Sequence, residues 1–122
     1  MMRVQTGLEN FLETSTARVF DLRLGLLCNH ASVDHRFHHA GELIHRKFPD
    51  QFTAMFSPQH GFHSDKQDNM IESDDLFDPL LRVPIYSLYG QTREPSRQMY
   101  EEIDVLLVDL QDVGTRVYTF IY

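Results

Sequence analysis

Short, continuous runs of apolar residues recur along the chain and predict buried β-strands. Runs without strict alternation of apolar and polar positions are typical of strands that are buried on both faces of a parallel sheet. The pattern is found at residues 23–29, 52–57, 83–89 and 104–111. These segments are therefore predicted to form the sheet of one domain.

The segments between these runs carry apolar residues three and four positions apart, which is the spacing of one face of a helix. This predicts helices within 6–20, 35–48 and 94–103, the first of them with Thr6 as its N-cap. The second helix would have its apolar stripe at Phe37, Ala40, Ile44 and Phe48. Strands that alternate with helices indicate βαβ units, so we predict an α/β fold, a parallel sheet with flanking helices, over residues 1–122.

Residues 60–79 show no clear periodicity and predict a long polar loop. The loop leaves the carboxyl end of a predicted strand, where open α/β sheets place their ligand crevice, so we expect it to be functional. The chain closes on the apolar stretch "YTFIY", whereas chains normally end in groups that tolerate water. We therefore expect this domain to be incomplete and to form part of a larger protein.

The charge and the composition exclude several classes of protein. A formal net charge of -7 leaves no basic field for nucleic acid or an anionic membrane. No apolar run approaches the roughly 20 residues of a membrane span, and the polar N-terminus does not resemble a secretory signal, so the chain alone indicates a cytoplasmic location. Cys28 is the single cysteine, so an internal disulfide is excluded and a small buried side chain is expected.

Polar residues follow the predicted strands at their carboxyl ends. Because these ends share one edge of a parallel sheet, the residues would converge in a polar pocket that suits a sugar or another hydroxyl-rich ligand. They are Asn29 and His30, then Ser57, Gln59 and His60, then Tyr89 and Gly90, and finally Asp109, Gln111, Asp112 and Arg116. Asp109 could instead cap a helix or pair with Arg116, and Asp112 could be an ordinary turn residue.

A cluster of histidines invites a metal-site interpretation, which the sequence does not favour. The cluster comprises His30, Asp34, His35, His38 and His39. On a helix, His35 and His39 would share a face, as two metal ligands must. No His-Glu-x-x-His pattern or second cysteine accompanies them, so we interpret them as a solvated helix face and expect no metal. Glycine-rich nucleotide motifs are also missing, so nucleotide binding has no support and no organic cofactor is expected. A Gly-x-Ser-x-Gly elbow is missing too, which leaves an α/β-hydrolase without support.

Four motifs, in order, resemble the exo-β-N-acetylmuramidase NamZ family, also known as DUF1343. They are "GLLCNH", "FSPQHGF", "VPIYSLYG" and "DVLLVDLQDVGTRVYTFIY", and the resemblance extends from "VQTGLENFL" to the last residue. It implies a glycoside hydrolase that releases terminal N-acetylmuramic acid from the non-reducing end of peptidoglycan fragments. It also implies a Rossmann-like N-terminal domain, of which this chain is the first part, and a C-terminal partner domain that is absent from this chain. Relatives are often exported, which leaves a periplasmic or secreted location open.

The chain departs from this family at the proposed catalytic position, and also in "HSDKQDNMIESDD", where the family usually has a shorter Gly-rich loop. The family's usual motif is Pro-Glu-His-Gly, whose Glu is the proposed acid/base, and Gln59 occupies that position here. An amide has no titratable proton near neutral pH, and general acid catalysis typically contributes ~10²- to 10⁴-fold. One interpretation is that a neighbouring acid replaces it, namely Asp109, Asp112, Asp65 or Glu72. Alternatively, Gln59 positions water or substrate while the absent domain supplies the acid, or the chain binds muropeptide sugars without cleaving them.

The strand ends and the resemblance together give the candidate residues. The catalytic candidates are Gln59, His60, Asp109 and Asp112, with His60 beside the scissile sugar as an orienting group or proton partner. The substrate-binding candidates are Asn29, Ser57, Tyr89, Gln111 and Arg116. Arg116 would pair with an acidic neighbour or reach the lactyl carboxylate of muramic acid.

Overall fold

The computed structural model describes residues 4–58, 75–88, 90 and 93–111. In chain order its elements are α1 (Gly7–Thr14), β1 (Leu24–Cys28), α2 (Ala40–Lys47), β2 (Phe52–Ser57), β3 (Leu76–Asp78), β4 (Val83–Ser87), α3 (Arg97–Glu101) and β5 (Val105–Asp109). The described strands form one sheet in the order β3-β4-β2-β1-β5. The pairs β4–β2, β2–β1 and β1–β5 are parallel, which confirms the predicted α/β fold.

β1 is the central strand of the parallel part, with β2 on one side and β5 on the other. Its register pairs Leu24 with Val105 and Cys28 with Asp109. Leu24, Leu26 and Cys28 have no exposed surface, so the apolar run that predicted this strand is explained by its burial. Burial of large aliphatic side chains contributes roughly 1.5–3 kcal/mol each, and this strand is therefore a main source of stability.

The sheet separates two apolar clusters. The larger cluster joins α1 and α2 to one face through Leu8, Ile44, Leu24, Leu26 and Phe52. The smaller cluster lies on the other face, where α3 and the residues after it cover Ala54, Phe56 and Tyr86. Helices on both faces leave the two ends of the parallel strands as the places where polar groups collect. Among the described residues, no helix has the length and apolar character that a membrane span needs.

The predicted loop at 60–79 is wrong in its last part. Leu76–Asp78 forms β3, which pairs antiparallel with β4 and makes the sheet mixed. The sequence does not indicate this strand because it has only three residues and lies at the edge, where Leu76 and Phe77 are exposed. Residues 60–74 lie outside the described part of the chain.

The predicted helix at 35–48 is also wrong in its first part, because α2 begins at Ala40. The carboxylate of Asp34 accepts hydrogen bonds from the backbone N–H groups of Arg36 and His38, both at 2.8 Å, and so holds this segment in a turn. Phe37 has a φ of 64° and is 85% exposed, so it does not belong to the apolar stripe. His39 is the N-cap of α2 and accepts a hydrogen bond from the N–H of Gly41. His35 and His39 therefore do not share a helix face.

The other helices are shorter than predicted, and their N-caps explain where they begin. Thr6 caps α1, as predicted, and Ser96 caps α3 by accepting a hydrogen bond from Met99 N–H. In α1 the Thr6 hydroxyl accepts from Glu9 N–H at 3.2 Å, while the Glu9 carboxylate accepts from Thr6 N–H at 2.9 Å. This reciprocal pair satisfies N–H groups that the helix itself leaves without partners.

Glu9 also connects α1 to the loop that follows β1. Its Oε1 contacts His35 Nδ1, and the Glu9 side chain is buried. The hydrogen bond from Thr6 N–H, followed by that from the His35 side chain, lowers the pKa of Glu9 from 4.5 to about 2. A carboxylate with a lowered pKa stabilises the fold above its unfolded pKa, and this contribution disappears as the pH falls through the folded value.

We expect Glu9→Gln to remove part of the acid sensitivity of the protein. As the pH falls from 4.5 to about 2, the free energy of unfolding of the wild type should decrease because Glu9 becomes protonated. Glu9→Gln lacks this contribution at every pH, so its free energy of unfolding should change less over the same range. Urea midpoints measured across this pH range test the expectation. Glu13→Gln, which changes an exposed carboxylate on the same helix, serves as the control and should follow the wild type. An unchanged pH profile in Glu9→Gln would contradict the assignment.

Candidate functional site

The carboxyl ends of the parallel strands form one edge of the sheet. At this edge Ser57 of β2 is paired with Ser87 of β4, and Cys28 of β1 is paired with Asp109 of β5. Because neighbouring strands lie about 4.8 Å apart, the ends of β2 and β5 are separated by roughly 10 Å across β1. The edge therefore brings together strand ends that are distant in sequence, as the sequence predicts.

Asn29 is completely buried and joins separate parts of this edge. Its Oδ1 accepts a hydrogen bond from the N–H of Ala31 at 3.1 Å and lies 3.1 Å from the Ser32 hydroxyl. Its Nδ2 donates to the backbone carbonyl of Gln111 at 2.7 Å. The side chain therefore ties the loop after β1 to the segment that leaves β5. These contacts give Asn29 a positioning role, and direct contact with a substrate stays a prediction.

Ser32 and His39 reinforce this arrangement, although neither was a candidate from the sequence. The Ser32 hydroxyl accepts a hydrogen bond from Asn29 N–H at 3.0 Å and also contacts the carbonyl oxygen of Asp109. His39 Nδ1 accepts from Gly41 N–H, so Nε2 carries the proton and donates to the carbonyl of Asn29 at 2.9 Å. We call Asn29, Ser32, His39 and Gln111 the edge network. The sequence pattern places His39 inside the predicted helix 35–48 and suggests it only as a metal ligand, so its position as N-cap of α2 was missed.

Asp109 provides a carboxylate beside the edge network. Its Oδ1 accepts a hydrogen bond from Gln111 Nε2 at 3.1 Å. Its Oδ2 is buried and has no hydrogen-bond donor among the described residues. A buried acceptor without a partner costs roughly 1–3 kcal/mol, and more when it is charged. Within the described part of this edge, Asp109 therefore has a carboxylate oxygen that is available to a further partner.

A cavity of about 290 Å³ lies next to Asp109, between α1 and the sheet. The Asp109 side chain forms part of its lining, together with Gly7 at the first position of α1. The rest of the lining is apolar and comes from Leu8, Phe11, Leu26, Ile44, Leu107 and Val108. This edge can therefore combine an apolar contact with a hydrogen bond to a carboxylate.

Cys28 is buried, as predicted, and does not supply a nucleophile. Burial raises the pKa of its thiol, and the negative charge of Asp109 raises it further. A thiol held in its protonated form is a weak nucleophile. The chemistry of this edge therefore depends on its oxygen and nitrogen groups.

The predicted site residues fall into two groups. Asn29, Ser57, Asp109 and Gln111 are described, and all of them lie at or directly after the carboxyl ends of the parallel strands. Ser57 is buried, and its carbonyl accepts a hydrogen bond from Leu88 N–H at 2.9 Å. The other candidates lie outside the described residues, and their positions stay predictions: Gln59, His60, Tyr89, Asp112 and Arg116, together with Asp65 and Glu72.

The histidines of the 30–39 segment have separate partners. His35 contacts Glu9, His38 lies 3.2 Å from the Asp34 carboxylate, and His39 belongs to the edge network. In the part of the chain that the structure describes, no group of three or more His, Cys, Asp or Glu side chains is placed to hold a metal ion.

Comparison with known proteins identifies the family. The model of the N-terminal part of the exo-β-N-acetylmuramidase NamZ matches residues 24–122. The peptidoglycan β-N-acetylmuramidase NamZ of Bacillus subtilis (strain 168) is 37% identical over 120 residues, which are 98% of this chain and 29% of that protein.

Two crystal structures of DUF1343 family proteins from Bacteroides fragilis NCTC 9343 share this fold. The first has a TM-score of 0.78 and is 32% identical in sequence. The match covers 98% of this chain and 29% of the chain in that structure. The second has a TM-score of 0.55 and is 28% identical in sequence. The match covers 84% of this chain and 25% of the chain in that structure. The chain thus spans less than a third of the length of these relatives. The family predicted from the four motifs is confirmed: the chain belongs to the exo-β-N-acetylmuramidase NamZ family and corresponds to its N-terminal part.

Proposed function

We propose that this chain forms one wall of the active site of a peptidoglycan glycosidase, which releases terminal N-acetylmuramic acid from the non-reducing end of cell-wall fragments. The observation that carries the proposal is the position of Asp109 beside a cavity at the carboxyl edge, with one carboxylate oxygen that has no donor among the described residues. Membership of the NamZ family supports it, because the B. subtilis relative is a peptidoglycan β-N-acetylmuramidase. A further domain, absent from this chain, would supply the opposite wall.

The edge network suits a site that binds a sugar in one orientation. Hydrogen bonds from Asn29 and Ser32 connect the loop after β1 to the end of β5, across 82 and 77 positions of sequence. These bonds hold the backbone carbonyls of Asp109 and Gln111, so the carboxylate is presented from a rigid strand end. A preorganised polar group loses less entropy on binding than one on a mobile loop.

The proton donor of the reaction needs a separate assignment, because Gln59 cannot provide it. Glycoside hydrolysis usually uses a pair of carboxyl groups, one of which protonates the leaving oxygen. We propose that another acidic residue takes this role. The candidates are Asp109, the last residue of β5, and Asp112, which comes three positions later in the sequence. Gln59 and His60 would then orient the substrate or a water molecule. Of Gln59, His60, Asp109 and Asp112, only Asp109 lies among the residues that the structure describes.

Kinetic constants distinguish these roles in the protein at its full natural length, with a chromogenic N-acetylmuramide as substrate. We expect the wild type to be active and Asp109→Asn to lower kcat/KM. A loss of about 10- to 100-fold corresponds to a lost hydrogen bond to a charged group, worth roughly 1.5–3 kcal/mol. A loss of about 10²- to 10⁴-fold, expressed mainly in kcat, corresponds to a lost general acid. Asp112→Asn is measured in the same way.

Asp50→Asn is the matched control, because Asp50 is exposed and precedes β2 at the opposite edge of the sheet. It should retain the wild-type kcat/KM. A silent wild type in which Gln59→Glu restores turnover would contradict a catalytic role and would leave sugar binding without cleavage as the function. Full activity in Asp109→Asn would exclude Asp109 from the site.

A further inference from the structure

The cavity beside Asp109 reaches the same edge of the sheet as the proposed active site. Glu9, in the first turn of α1, contacts His35 in the loop that leaves β1 at this edge. Phe11, two residues further along α1, packs against Phe48 at the far end of α2, with ring centroids 5.9 Å apart. α1 therefore runs away from the edge, so Gly7, its first residue, and Asp109, the last residue of β5, are the lining residues at the edge itself.

The lining of this cavity favours a ligand group that combines an apolar part with a hydrogen-bond donor. Leu8, Leu26 and Ile44 are buried apolar side chains, so the interior favours a small apolar group such as a methyl. Asp109 adds an acceptor that lacks a donor among the described residues. Asp109 Oδ2 is itself buried, so accepting a hydrogen bond from a group in the cavity requires the carboxylate to rotate about its terminal torsion, which is broad in aspartate. The cavity has a volume of about 290 Å³. One water occupies roughly 30 Å³ in the liquid, so the cavity is several times larger than a single water.

The substituents of N-acetylmuramic acid differ in how they match this lining. The lactyl group carries a carboxylate, which Asp109 would repel across a poorly solvated space. The hydroxyl groups can donate a hydrogen bond to Asp109, but they offer nothing to the apolar walls. The acetamido group has both features, because its N–H is a donor and its methyl is apolar. It is also uncharged, so its burial beside Asp109 carries no charge penalty.

We propose that the cavity between α1 and β5 is the subsite for the 2-acetamido group of the sugar, with Asp109 accepting the acetamido N–H and the apolar walls enclosing the methyl. This inference rests on the proposed function, and it names the part of the substrate that the described residues recognise. Asp109 then acts in substrate selection. Sugars that carry a 2-hydroxyl in place of the acetamido group are discriminated against, because they leave the apolar walls empty.

Calorimetric titration of the protein with two sugars tests the inference. The first sugar is N-acetylmuramic acid, and the second is 3-O-lactylglucose, which keeps the lactyl group and has a hydroxyl at position 2. We expect the wild type to bind the first at least about tenfold more tightly, which corresponds to about 1.4 kcal/mol. The comparison needs no variant, so it remains decisive whatever a substitution does to folding.

Gly7→Leu is the variant that obstructs the cavity without changing a polar group. A Cβ added at Gly7 meets no heavy atom within 4 Å, so a side chain fits there without a clash. Because Gly7 is a lining residue, we expect the leucine to narrow the cavity. We expect the variant to lose most of the tenfold preference and to keep its affinity for 3-O-lactylglucose. Asn10→Leu adds the same side chain at an exposed position of α1 outside the cavity lining, and it should retain the wild-type preference.

The outcomes separate this inference from the proposed function. Equal binding of the two sugars by the wild type would overturn the acetamido subsite and leave muramic acid binding intact. A preference that persists in a folded Gly7→Leu variant would also overturn it, because the preference would then arise elsewhere. Absence of binding of either sugar would overturn the proposed function itself, and the subsite with it.

Discussion

Gly25→Val is expected to destabilise the protein by about 3 kcal/mol, the upper part of the range for overpacked cores. Gly25 lies in the central strand β1, on the face covered by the smaller apolar cluster. A Cβ at this position would lie 2.9 Å from Ile103 Cγ2 and 3.2 Å from Phe56 Cε2. Both neighbours are themselves buried, so they have little space into which to move. Urea unfolding monitored by circular dichroism measures the loss.

A second substitution tests whether the contact with Ile103 is the cause. Ile103→Ala alone should also be destabilising, because it removes a buried side chain. Combined with Gly25→Val, it should cost less than the sum of the two single variants, because the added methyl groups then occupy the vacated volume. Gly7→Ala is the control at an open glycine and should be close to neutral. Additive losses in the double variant would exclude the proposed steric conflict.

Asn29→Ala is the second change with a large expected effect, about 3 kcal/mol in the free energy of unfolding. The substitution leaves the N–H of Ala31 and the carbonyl of Gln111 without their partners at a largely buried position. Each unsatisfied group costs roughly 1–3 kcal/mol, and the shortened side chain adds a small void. Because the end of β5 is then no longer held, sugar affinity should fall together with stability.

Asn10→Ala provides the matched control for this prediction. Asn10 lies on α1 and is exposed, so its replacement should change the urea midpoint little. Asn29→Asp is the informative partner variant, because it keeps the acceptor for Ala31 and loses the donor to Gln111. We expect it to be destabilised as well. Wild-type stability in Asn29→Ala would show that the edge network does not hold the site together.

The sequence predicted the parallel core because burial on both faces leaves a direct pattern in the residues. Leu24–Cys28 is apolar throughout and Phe52–Ser57 is apolar except for Thr53 and Ser57, and no helix of that length would bury so many of its side chains. β3 left no such pattern, because an exposed edge strand of three residues gains its hydrogen bonds from β4 and requires no apolar run. The start of α2 was mispredicted for a related reason: the Asp34 turn overrides the apolar spacing that includes Phe37.

The site was predictable to the extent that it follows from strand direction. Asn29, Ser57 and Asp109 were expected at one edge because parallel strands end together, and the described residues have that arrangement. Ser32 and His39 were missed because their partners are backbone groups, which any sequence would provide. The cavity beside Asp109 depends on where α1 packs, which local periodicity does not determine. The role of Gln59 rests on the family motif and stays a prediction.

The central position of β1 has a consequence for the order of events during translation. β1 is synthesised early, but its neighbour β5 lies about 80 residues later, and the contacts of Asn29 and Ser32 span 82 and 77 positions. At roughly 5–20 residues per second, several seconds pass before the ribosome delivers that neighbour. During this interval one flank of an apolar strand is unpaired, so we expect the nascent chain to depend on chaperones until β5 has emerged.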